Sequence, residues 1–169
     1  SIAIGYSQGG RQVLQSLSLN PCRYHAAVII SAHPGLLTQE ERMLRLENDQ
    51  VWANRFRTEG WDELMEKWNG QAVFGGMPPP FVRYEKHYDR TRLAETLITG
   101  SLGRQPDLRP MIAALQIPVL WMTGACDAHS SAIAGSVTLS HPLSAKIQVP
   151  KACHRVPWEN PDFFYNTLS

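Results

Sequence analysis

Gly5-Tyr6-Ser7-Gln8-Gly9 sets one serine between two glycines in the pattern G-x-S-x-G. A serine hydroxyl is inert until a base takes its proton, and the base needs an acid to orient it. The chain offers Asp127 as the acid and His154 as the base, in the order Ser, Asp, His. The amide of Gln8, directly after the serine, is placed to hold a developing oxyanion. A Cβ at either glycine of the motif is expected to collide with the neighbouring strand or helix, leaving the serine strained and projecting. The chemistry available to this set is acyl transfer, or proton abstraction next to a carbonyl.

These residues work only if the right elements carry them. Residues 1–6 (SIAIGY) read as a buried strand, Arg11–Leu19 as a helix stopped by Asn20-Pro21, and 26–31 (AAVIIS) as a second buried strand. Strand, tight turn, helix and strand make a βαβ unit with parallel pairing. Residues 117–123 (IPVLWMT) form a strand with Asp127 in the loop after it, and 145–149 form a last strand with His154 beyond it. Short helices are expected at 110–115 and 131–139, and Asn160-Pro161 opens a terminal one.

The stretch between these pieces has a different character. Thr38-Gln39-Glu40-Glu41 is a capping box. Leu44, Val51, Trp52 and Phe56 follow on a long helix ending near Gly60; Trp61, Leu64, Met65 and Trp68 mark a second that closes at Gly70. Gly75 to Pro80 cannot be helix or central strand and reads as a linker. Residues 81–99 return to helix. The organisation expected is an α/β core from 1–34 and 106–169, with a helical cap inserted over 35–105.

Composition narrows the partners. Sixteen basic residues face fifteen acidic ones in 169, a net charge of +1. No global field selects nucleic acid. The apolar runs are far too short for a membrane span. No HExxH or HxxEH spacing is present, so no metal site is expected. Cys22, Cys126 and Cys153 contain no CxxC pair, which suits a reduced, cytoplasmic setting. Cys126 and Cys153 read as small buried hydrophobes. His25, His87, His129 and His141 read as surface residues, and His33 as a turn residue or a site lining.

The order Ser, Asp, His on strand ends is that of the α/β-hydrolases. Further segments resemble one family among them. Gly5 to Arg11, Ser31-Ala32-His33-Pro34-Gly35-Leu36, Glu40-Glu41-Arg42, Trp52 through Phe56, Gln105-Pro106-Asp107-Leu108, His154 and Glu159-Asn160-Pro161 look like the 2-succinyl-6-hydroxy-2,4-cyclohexadiene-1-carboxylate (SHCHC) synthases of menaquinone biosynthesis. The resemblance implies a lyase on a hydrolase fold. It would eliminate pyruvate from a small polycarboxylate, 2-succinyl-5-enolpyruvyl-6-hydroxy-3-cyclohexene-1-carboxylate, without a cofactor. It implies substrate contacts from Tyr6 and Arg11 beside the nucleophile, from Arg45 and Trp68 in the insertion, and from one of Arg83, Lys86 and Arg90, with Arg83 preferred. Outside the resemblance, Arg45 reads as a solvated helix face and Trp68 as helix packing.

Three departures bear on these expectations. Gln8 stands where the family pattern has Leu or Met, with little effect expected because its backbone amide is what matters. Cys153 stands where the family pattern has a glycine before the histidine, which is expected to shift His154 slightly. The family also has strands before the elbow, and a loop there supplies a second oxyanion donor; neither has a counterpart in these residues. The expectation is therefore a C-terminal portion with an exposed edge at strand 1–6, inactive or nearly so alone and prone to self-association. The rival readings are an α/β-hydrolase of other specificity (carboxylesterase, thioesterase or carbon–carbon hydrolase) and an inactive fragment.

Overall fold

A computed structural model describes residues 1–169. It divides into two compact units: Ser1–Pro34, Val73–Gly75 and Asp107–Ser169 form one, Gly35–Ala72 and Gly76–Pro106 the other.

The first unit is built on four strands: β1 (Ile2–Tyr6), β2 (Ala26–Ile30), β3 (Val119–Gly124) and β4 (Ala145–Val149). They lie in the order β1-β2-β3-β4, and every pairing is parallel. The register runs Tyr6 beside Ile30, Ile30 beside Met122, and Gly124 beside Val149. Parallel strands in this register send all their carboxyl-end loops out along one edge of the sheet, so the residues after Tyr6, Gly124 and Val149 emerge together.

Helices cover both faces, as a parallel sheet requires. α1 (Gln8–Leu19) contributes Leu14 and Leu17 to a core with Ala27, Ile29 and Trp121. α5 (Arg109–Ala113) and α6 (Ala128–Gly135) close that side through Ile112 and Ala134. On the opposite face Val28, Ile30, Met122 and Val149 pack with Val156 of α7 (Val156–Glu159) and Phe164 of α8 (Pro161–Leu168). The alternation within β2 explains both cores, because odd and even residues of a strand face opposite sides. β1 is an outer strand, with Ile2 and Ile4 at 63% and 56% exposure.

The second unit is helical: α2 (Gln39–Thr58), α3 (Trp61–Asn69) and α4 (Arg90–Thr99). The capping box is formed, with the Glu41 amide donating to Thr38 Oγ1 at 3.1 Å and the Thr38 amide donating to Glu41 Oε2 at 3.0 Å. Trp52, Ala53, Phe56, Trp61, Leu64 and Ala94 make its core. Arg90 ties the unit together by donating to the carbonyls of Phe56 and Glu59 and to Glu85. Residues 81–84 are not helical; one 3-10 turn at Glu85–His87 precedes α4.

Other boundaries shift for identifiable reasons. α1 begins at Gln8 rather than Arg11, because Gly9 and Gly10 are helical despite their poor propensity. α6 starts at Ala128, with Asp127 as its N-cap accepting from the Ser130 amide, where the sequence suggested 131–139. β3 spans Val119–Gly124, where 117–123 was expected. The segment 73–75, expected in the insertion, groups with the sheet unit because Phe74 lies edge-on to His154 and Gly75 abuts Cys153.

Candidate active site

Ser7 sits in the turn from β1 into α1 with φ 50° and ψ −114°. A Cβ makes that conformation costly, so the surroundings must impose it. They do so through close approach. A Cβ on Gly5 would lie 2.5 Å from the Gly9 carbonyl oxygen, and one on Gly10 would lie 2.7 Å from Ala32 Cβ. A Cβ on Gly9, by contrast, would meet nothing within 4 Å. The expectation that both glycines of G-x-S-x-G are crowded is therefore corrected: the crowded pair is Gly5 and Gly10. The Ser7 amide donates to the Ile30 carbonyl at 2.8 Å, fixing the turn to β2. Gln8 opens α1, where the first amides have no helical carbonyl to bond.

Ser7, His154 and Asp127 are brought into one hydrogen-bonded chain. Ser7 Oγ lies 3.1 Å from His154 Nε2, and His154 Nδ1 lies 3.1 Å from Asp127 Oδ2. An ionised carboxylate only accepts. Nδ1 therefore carries the proton and donates to Asp127, which leaves Nε2 to accept from the Ser7 hydroxyl. Asp127 is held in turn by Ser130, whose amide donates to Oδ1 at 2.9 Å and whose hydroxyl donates to Oδ2 at 2.6 Å. The Asp127 side chain is 2% exposed. Burial alone pushes its pKa up, but the bonds from His154 and from Ser130 outweigh burial and hold the carboxyl below its ordinary range.

The acid and base loops are joined by backbone. The Ala125 amide donates to the Val149 carbonyl and the Cys126 amide to the Ala152 carbonyl, each at 2.9 Å. Gly124 permits this approach, since a Cβ there would fall 1.9 Å from the Cys153 carbonyl oxygen. Tyr6 and Phe74 flank the imidazole, with ring centres at 5.5 and 5.9 Å, and Trp158 meets Tyr6 edge-on at 5.1 Å. The buried Arg155 places its guanidinium 3.7 Å from the Phe74 ring centre. Arg11 is buried on α1, one turn past Ser7, and its amide donates to the Ser7 carbonyl at 3.1 Å.

The remaining candidates have definite surroundings. Arg45 spends its Nε on both oxygens of the buried Asp49, at 2.9 Å each. Trp68 packs edge-on against Trp52 and Phe56. Arg83 keeps a buried Nη1 with no hydrogen-bond partner, over the Phe81 ring. Lys86 is exposed, and Arg90 is committed to helix-end carbonyls. His25, His87 and His129 are exposed; His141 is half-buried rather than on the surface, and its Nδ1 accepts from the Leu143 amide at 3.2 Å. His33 is half-buried, 6.5 Å from the His129 ring.

Cys153 is buried, and burial raises its thiol pKa to about 11, with Cys126 and Glu159 adding to the effect. Cys126 is exposed, contrary to the expectation of a buried hydrophobe. Sequence reasoning missed Ser130, Phe74 and Glu159. Only Ser130 had a local signal, the D-x-x-S spacing of an N-cap.

No family model matches the chain. It is 32% identical over 157 residues to a 2-succinyl-6-hydroxy-2,4-cyclohexadiene-1-carboxylate synthase of Photorhabdus laumondii, covering 90% of this chain and 56% of that protein. It is 32% identical over 163 residues to an enzyme of the same name from Escherichia coli O1:K1, covering 94% and 62%. The chain thus spans less than two thirds of these relatives. Among solved structures, MenH from Staphylococcus aureus superposes with a TM-score of 0.84 at 21% identity, over 99% of this chain and 65% of that one. No helix is long and apolar enough to cross a membrane. The parallel sheet, the strand-end placement of Ser7, Asp127 and His154, and these matches identify an α/β-hydrolase fold whose curated homologues are SHCHC synthases.

Proposed function

We propose that this protein is an SHCHC synthase, a lyase that eliminates pyruvate from 2-succinyl-5-enolpyruvyl-6-hydroxy-3-cyclohexene-1-carboxylate. The observation that carries the reading is the hydrogen-bonded chain from Ser7 through His154 to Asp127 in a chain with these homologues. Catalysis begins with loss of a proton α to the substrate ketone. Ser7, deprotonated by His154, is the base, and Asp127 stabilises the imidazolium that forms. Charge moves onto the ketone oxygen, where the Gln8 amide stabilises it. The enolate then breaks the ring C–O bond, releasing the enolate of pyruvate, which takes up a proton in place of the one removed to become pyruvate, so no acyl-enzyme is needed.

The substrate's carboxylates require cations. Arg83 is the best-suited residue of its segment, because its buried Nη1 is uncommitted and a buried donor gains most from an anionic acceptor. Arg90 is less suited to that role, since its guanidinium already donates to the Phe56 and Glu59 carbonyls. Arg11, Arg45, Tyr6 and Trp68 are assigned to substrate on the family resemblance.

The test follows pyruvate with a coupled dehydrogenase. Joined to the portion of the curated relatives that these residues do not span, the protein should release pyruvate, and Ser7→Ala should reduce release to background. A protein that hydrolyses p-nitrophenyl esters and releases no pyruvate is a hydrolase instead, and the lyase reading fails.

A further inference from the structure

Glu159, the last residue of α7, sits six positions after Cys153 and is not part of the Ser7–His154–Asp127 chain. Its Oε2 accepts from the Cys153 amide at 2.6 Å, a short charge-assisted bond. Its Oε1 is buried and has no hydrogen-bond partner, so the carboxylate's polar bonding is confined to that one amide.

The Cys153 amide belongs to the same rigid peptide plane as the Ala152 carbonyl. That carbonyl accepts from the Cys126 amide at 2.9 Å, in the acid loop. One planar group is therefore held at both ends, by the acid loop on its oxygen and by Glu159 on its N–H. The residue that follows it is His154. Asn160 adds a hold at the start of the same loop, with Nδ2 donating to the Pro150 carbonyl at 2.8 Å, while its Oδ1 caps α8 at the Phe163 amide. Between these holds Lys151 adopts φ 56°, a conformation that a loose loop would leave.

We propose that Glu159 is a positioning residue for His154. By fixing the 152–153 peptide, its carboxylate sets the direction from which the imidazole reaches both Ser7 and Asp127. The inference rests on the reading of these three residues as a catalytic triad. A carboxylate is needed here rather than any packing group, because the amide it satisfies is buried beside the site and needs an acceptor.

The test compares Glu159→Met, which keeps length and apolar bulk, with Glu159→Gln, which keeps an acceptor oxygen. The reactivity probe is phosphonylation of Ser7 by a fluorophosphonate, and nitrogen NMR reads the His154 tautomer. Glu159→Met should lower the phosphonylation rate constant about 100-fold, the scale of a roughly 1 Å misplacement, and reduce the Nδ1–H tautomer fraction. Glu159→Gln should stay within about threefold of wild type. Wild-type phosphonylation and an unchanged tautomer in a folded Glu159→Met protein would overturn the proposal.

If neither variant folds, hydrogen exchange of the Cys153 amide in the wild type decides. Protection equal to that of β3 amides supports the clamp, and exchange at an open-loop rate overturns it. A wild-type Ser7 that resists the fluorophosphonate, together with a tautomer that still responds to Glu159→Met, sinks the triad reading and leaves the positioning role standing.

Discussion

Ser130 grips Asp127 with both of its donors, the amide on one carboxylate oxygen at 2.9 Å and the hydroxyl on the other at 2.6 Å. The acid that orients His154 is thus also the N-cap of α6. Ser130→Ala keeps the cap bond and deletes the other. A buried carboxylate losing one hydrogen-bond donor should cost about 1–3 kcal/mol. The melting temperature should fall accordingly, with a loss of Ser7 reactivity alongside. A variant as stable and as reactive as wild type would show that the hydroxyl is incidental.

The same carboxylate sets an acid limit. Its folded-state pKa lies below the ordinary 3.8, so the unfolded chain binds more protons in this range. The stabilisation is complete above the ordinary value and disappears as pH falls through the lowered one. Urea midpoints at pH 6 and pH 3 should therefore differ more in wild type than in Asp127→Asn. Equal pH dependence in the two proteins would contradict the assignment.

The two helical glycines after Ser7 should behave oppositely. Gly10→Ala puts a methyl 2.7 Å from Ala32 Cβ and should destabilise by about 1–3 kcal/mol, the usual cost of overpacking. Gly9→Ala meets open space and should be neutral or stabilising by up to about 1 kcal/mol. Denaturant titration of the two variants distinguishes them.

Thiol chemistry should sort the cysteines. Cys22 and Cys126 are exposed; Cys153 is buried with a pKa near 11. At pH 8 iodoacetamide should modify the first two and spare Cys153 until denaturant is added, as peptide mass mapping would show.

The β1–α1–β2 stretch and the strand-end positions of Asp127 and His154 were legible because they rest on local signals: short apolar runs, helical spacing and a glycine-framed turn. Legibility failed wherever a residue served two purposes or acted at long range. Asp127 hid the start of α6 because the candidate acid is also its cap. Phe74 lies in a glycine-rich stretch with no periodicity, and only tertiary packing joins it to His154. Glu159 entered the sequence reading only within a segment that carries the family resemblance; its bond to the Cys153 amide spans a turn that spacing alone does not reveal. Arg83 and Arg90 are equally basic in the sequence, and only their partners separate them.

Gly75 and Cys153 form a pair with an evolutionary reading. Gly75 has φ +59°, and a Cβ on it would fall 2.5 Å from the Cys153 sulfur. The sulfur beside the candidate base thus occupies room that a glycine in another segment leaves vacant. Substitutions at the two sites are therefore epistatic. Replacing Cys153 by glycine would lift the steric half of the constraint on position 75 and leave the conformational half, set by its positive φ. Lineages should accept a side chain at 75 only after the sulfur at 153 has gone, which gives the order of the two changes a direction.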